Sequence, residues 1–145
     1  MKVTYQQIHD LAYNICNEMD EDEVAVDRVV ALSPTSLLLG QLISEYYDVP
    51  LTCIQWDGVE NESNCWVAED ALNGINVLVV SNVTNADSLN SLCDDFVASC
   101  IGKSELLENV IFASLFEEEG SLFNADYVGE LCNDDLEFPW MGWWK

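Results

Sequence analysis

Hydrophobic positions follow two different periods along this chain. Ile8, Leu11, Ala12, Ile15 and Met19 recur three and four residues apart, the spacing that lines one face of a helix. Thr4-Tyr5-Gln6-Gln7 precedes that stripe and fits a capping box, with Gln7 reaching back to the Thr4 amide. His9, the only histidine, lies off the stripe and reads as surface. Residues 20–23 are acidic and read as a linker. The period then changes. Residues 28–32 form a short Val-rich run, expected as a strand, and 33–36 a loop. Residues 37–47 return to helical spacing, with Leu38, Leu39, Leu42, Ile43 and Tyr46 expected inward. Asp48-Val49-Pro50 ends that helix, because proline disfavours helical backbone in the residue before it.

A strand is expected over 51–56, followed by a polar excursion over 57–64 and a short strand over 64–68. Residues 69–73 suffice for one helical turn before Gly74. The stretch that organises the rest runs from 74 to 100. Its apolar, β-branched segment at 75–80 has the pattern of a strand buried on both faces of a parallel sheet. Residues 81–88 are polar and turn-rich, and Leu89, Leu92, Cys93, Phe96, Val97 and Cys100 then resume helical spacing. Gly102 reads as a helix C-cap, and 110–116 as a further buried strand. Residues 126–129 and 136–140 read as a small irregular flap. The order β-α-β, excursion, β-α-β predicts one α/β domain over 1–145, with a mostly parallel twisted sheet flanked by helices. In open α/β sheets ligands bind where loops leave the carboxyl ends of strands, which makes 81–88 the candidate site.

Charge narrows the function classes. Lys2, Arg28, Lys103 and Lys145 are the only bases against 27 acids, a net charge of −23. Such a surface repels nucleic acid, anionic lipid and phosphorylated metabolites. It serves solubility or a saline environment, or it is an acidic face aimed at a basic partner. No apolar run is long enough to span a bilayer, no signal peptide is visible, and a cytoplasmic location is expected. The six cysteines include no Cys-x-x-Cys pair and several fall on apolar faces. Buried thiols in a reducing compartment are expected rather than a disulfide framework or a metal site.

Three segments together resemble the type I phosphoribosyltransferases, the small xanthine/guanine/hypoxanthine kind of bacteria and phages. Val29-Val30-Ala31-Leu32-Ser33-Pro34-Thr35-Ser36, the Leu-rich helix after it and Tyr47-Asp48-Val49-Pro50-Leu51 are similar to that family's strand, pyrophosphate loop and next strand. Residues 77–89 sit where the family carries its phosphoribosyl pyrophosphate (PRPP) motif. Ala125-Asp126-Tyr127-Val128-Gly129 and Phe138-Pro139-Trp140 match its C-terminal hood, here 124–145, which closes over a purine.

The resemblance implies roles by position, and the residues depart from them. Ser81 and Asn82 stand where the family has two acids holding the ribose hydroxyls. Asn85, Ala86, Asp87, Ser88 and Leu89 stand where an Asp-Thr-Gly-x-Thr turn cradles the 5′-phosphate at a helix N-terminus. Asp87 replaces the glycine, and its carboxylate could cap the helix in place of a ligand anion. Ser33, Pro34, Thr35 and Ser36 replace a basic residue and glycines in the pyrophosphate loop, and proline removes a backbone donor. Tyr127, Phe138 and Trp140 stand where the hood stacks a base, or pack as ordinary hood residues.

Three readings stay open at this point. The first is a phosphoribosyltransferase-like protein that has lost PRPP chemistry, with no catalytic residue, no metal and no cofactor, and that binds a protein partner or ligand. Magnesium enters only if PRPP binding survives. The second is an active purine phosphoribosyltransferase with a rewired site. The third is an acidic nucleic-acid mimic that blocks a basic partner. A protein partner or a second copy would dock through the acidic surface or through the C-terminal aromatics Met141, Trp143 and Trp144. Neither nucleic acid nor a membrane is expected as partner.

Overall fold

The computed structural model describes residues 1–32, 34–53, 76–84, 109–120, 125–133, 135–142 and 144. Helix α1 (Tyr5–Glu21) starts at Thr4, whose hydroxyl accepts from the Gln7 amide at 3.1 Å. The Gln7 side chain does not close the expected capping box. It donates instead to Glu130 at 3.4 Å, on the far side of the sequence. Ile8, Ala12, Ile15 and Met19 are buried as the spacing predicts, Leu11 is only half-buried, and Cys16 joins the buried face. The helix runs through Asp20 and Glu21, so only the end of the acidic run is linker. Asp20 accepts from the hydroxyls of Tyr46 and Tyr47, and Asp22 from that of Tyr127.

Strand β1 (Arg28–Ala31) leads through a 3-10 turn (Pro34–Ser36) into helix α2 (Leu37–Tyr47). Leu39 and Ile43 are buried, but Tyr46 points outward, contrary to expectation, and Tyr47 is half-buried in its place. Asp48 caps the helix in the left-handed region at φ 54°. Gly40 lets α2 approach the sheet: a Cβ there would lie 2.8 Å from Leu51 Cδ1 and 3.4 Å from Ala31 Cβ.

Strands β2 (Leu51–Cys53), β3 (Asn76–Thr84), β4 (Asn109–Glu118) and β5 (Tyr127–Cys132) complete the sheet, ordered β2-β1-β3-β4-β5. Every neighbouring pair is parallel. Consecutive residues Val77, Leu78, Val79 and Val80 are all buried, so both faces of β3 are covered. Val29, Ala31, Leu78 and Val80 join the core that includes α1 and α2 residues, and each buried Val or Leu there contributes about 1.5–3 kcal/mol. Helix α1 packs on β4 and β5, α2 on β1, β2 and β3, and the two helices touch each other.

Two expected loops are strand. Residues 81–84 continue β3 because Ser81, Val83 and Thr84 pair with Ser114, Phe116 and Glu117 of β4. The expected flap at 126–129 opens an edge strand paired with 113–118. Asp126 accepts from the Phe112 amide at 2.9 Å where that pairing begins. Gly129 is required in β5, since a Cβ would sit 2.5 Å from the Leu115 carbonyl oxygen. The expected elements at 54–56, 64–68, 69–73 and 89–100 lie outside the described residues. Among the described residues no helix is long and apolar enough to cross a membrane.

Candidate functional site at the switch point

The chain places β2 on one side of β1 and β3 on the other, so the winding direction reverses between β1 and β3. A crevice outside the carboxyl ends at such a reversal is where open α/β sheets hold ligands. Here those ends are the β1–α2 turn and the end of β3. The backbone ladder between them ends with Leu32 donating to the Val80 carbonyl at 3.1 Å. One step further out, the buried Asn82 donates its side-chain amide to the Thr35 carbonyl. The bond spans the two segments that would flank a ligand.

Some of the expected site residues have a place. Thr35 is exposed and Ser36 is buried at the start of α2, where its hydroxyl does not cap the helix. Ser81 is half-buried, in register with Ser114. Asn85, Ala86, Asp87 and Ser88 lie outside the described residues, as does Ser33, so the expected Asp87 cap is not placed. Neither the turn (Pro34–Ser36) nor residues 81–84 nor residues 116–118 include Lys or Arg, and Glu117 and Glu118 add negative charge. Arg28 begins β1, at the opposite end, where its Nη1 donates to Thr52 Oγ1 at 2.9 Å.

The hood residues divide. Phe138 is buried, stacks on Trp140 at 4.9 Å and 6°, and meets Phe116 of β4 edge-on at 6.1 Å. Tyr127 does not join them. Its hydroxyl donates to Asp22 at 2.7 Å, and that bond pushes its pKa up to about 12. The hood is tied to the N-terminus: Val3 donates to the Glu137 carbonyl at 2.8 Å and Glu137 to that of Met1 at 2.9 Å. Sequence reasoning missed the partner of Phe138, although Phe116 lies in an apolar strand run that could have suggested it. It also missed Glu117, which is buried and accepts from the Ala125 amide at 3.0 Å.

No family model and no curated protein matches the sequence. Solved structures do match. A purine phosphoribosyltransferase from Pyrococcus horikoshii Ot3 superposes with a TM-score of 0.75 at 15% identity, covering 97% of this chain and 92% of that one. The fold is that of the type I phosphoribosyltransferases. A xanthine-guanine-hypoxanthine phosphoribosyltransferase from Helicobacter pylori gives 0.71 at 14% identity, covering 96% and 91%. A hypothetical protein from Neisseria gonorrhoeae, solved with bound ppGpp, gives 0.74 at 18% identity, covering 99% and 90%. At these identities the likeness carries the phosphoribosyltransferase fold.

Magnesium favours carboxylate and phosphate oxygens in near-octahedral geometry. Ser81 and Asn82 supply no carboxylate, and the Asn82 amide is engaged by Thr35. The Ser81 and Asn82 side chains do not fit a directly bound magnesium ion.

Proposed function

We propose that this chain is a phosphoribosyltransferase-fold protein that does not transfer phosphoribose and acts by binding a protein partner. The observation that carries the reading is the Asn82 bond to Thr35. A side chain at the position of the second ribose acid acts as a fastener between β3 and the β1–α2 turn. The electrostatics support the same conclusion. PRPP is a multiply charged anion, and the protein offers it no cation on the two crevice segments and a net charge of −23.

The likeness to purine phosphoribosyltransferases favours a second reading, an active enzyme with a rewired site. Transferase assays with guanine, xanthine, hypoxanthine and adenine, each with PRPP and magnesium, separate the two. The first reading expects turnover equal to the no-enzyme control. Turnover well above it supports the second.

A further inference from the structure

The acidic surface is not uniform. Between α1 and α2 lies a groove of about 300 Å³, lined by the apolar Ala12, Cys16 and Leu42, by His9 and Asp10, and by Tyr13 and Tyr46. Tyr13 is 59% and Tyr46 42% exposed, unusual for large rings on a surface this charged. Their centroids lie 6.2 Å apart, edge to face. The Tyr46 ring is held in place, since its hydroxyl donates to Asp20 and its edge meets Tyr47 at 5.0 Å. Neither helix carries a Lys or Arg, while Asp10, Glu18, Asp20, Glu21 and Glu45 are all on them.

We infer that this groove docks an arginine-bearing segment of a basic protein. The inference rests on the partner-binding part of the proposal above and names the surface and the partner's chemistry. A preformed aromatic pair beside the Asp10 carboxylate suits a cation that can lie on a ring face and reach an acid together. The planar guanidinium does both, stacking on aromatics and bonding carboxylates with its fork of N–H groups. The volume sits at the lower end of the range for ligand pockets, so it holds one or two side chains rather than a large cofactor. The surrounding field of −23 steers such a segment in and weakens as salt is added.

Calorimetric titration of the full chain with the peptide acetyl-Gly-Arg-Gly-Arg-Gly-amide at low salt tests this. Saturable 1:1 binding is expected. Tyr13→Ala weakens it about threefold to fivefold, as loss of an exposed cation–π contact should. Asp10→Asn also weakens it, while Glu119→Gln, which removes a carboxylate outside the groove, leaves it unchanged. No saturable binding overturns the inference. So does an equal loss in all three variants, which marks diffuse attraction to the acidic surface. Spermidine binding more tightly than the peptide with the same Tyr13 dependence also overturns it, because the occupant is then a small polyamine. The titration reads no turnover, so a positive transferase assay would remove the non-catalytic reading without touching this result.

Discussion

Asn82 and Thr35 stand 47 residues apart in sequence and are joined by one hydrogen bond from side-chain amide to backbone carbonyl. The bond lies across the point where the sheet reverses its winding. It uses a donor that an aspartate at position 82 could not provide, because an ionised carboxylate only accepts. Asparagine at position 82 therefore supplies a structural contact that an ionised aspartate would not.

Replacing Asn82 should reveal that contact as stability. Asn82→Ala leaves the Thr35 carbonyl without its side-chain donor and is expected to cost about 1–3 kcal/mol in urea unfolding. Asn82→Asp should cost at least as much above neutral pH, since it sets a carboxylate against a carbonyl. An unfolding midpoint unchanged in both variants would show that the bond contributes nothing.

The hood aromatics are expected to behave as packing. Phe138→Ala removes a buried ring and should cost about 3 kcal/mol. A double-mutant cycle with Trp140→Ala should give a coupling of about 0.5–1.5 kcal/mol, the usual worth of an aromatic pair beyond its area. Zero coupling in chemical denaturation would contradict the stacking at 4.9 Å.

Two glycines should respond differently. Gly129→Ala drives a Cβ into the Leu115 carbonyl, a backbone atom that cannot swing aside, and should destabilise by about 1–3 kcal/mol. Gly40→Ala meets the end of a flexible leucine and gains helix propensity of about 1 kcal/mol, so the net change should be small. Thermal unfolding of the two variants side by side checks the contrast.

Much of the fold was legible because hydropathy reports burial. The α1 stripe, the β1 and β3 runs and the β4 run all face the core where their period predicts. The misses have a common physical cause. Ser81, Val83 and Thr84 look like a loop in isolation, but β4 supplies them with backbone partners. Tyr127–Cys132 contains a glycine and a glutamate and ends the sheet of the described strands, where alternation weakens. Tyr46 and Tyr47 exchange roles because Asp20 accepts from both hydroxyls, a pairing of distant residues that no local pattern encodes. At the candidate site, the absence of acids at 81 and 82 is plain from the sequence. The Asn82 bond is not, because its acceptor is a backbone atom of another segment.

Alkaline pH should destabilise the protein earlier than its acids suggest. Burial, then Asp20, pushes the Cys16 thiol from 9.0 to about 12. The hydrogen bond to Asp20 pushes Tyr46 from 10.0 to about 12, and burial raises Tyr47 as well. These groups hold their protons longer when folded than unfolded. Their contribution is complete below the unfolded values of 9.0 and 10.0 and is lost as pH climbs towards about 12. The thermal midpoint should fall steadily across that window, and less steeply in Tyr46→Phe. An equal slope in the variant would exclude Tyr46 as a contributor.

The central claim is that the crevice between β1 and β3 no longer takes PRPP. Direct titration of the chain with PRPP in millimolar magnesium, followed by calorimetry, tests it without requiring a correct base or turnover. The account predicts no saturable heat, and no recovery of binding in Ser81→Asp/Asn82→Asp. Saturable 1:1 binding of PRPP by the unaltered chain, weakened when Ser81 or Asn82 is changed, would contradict it.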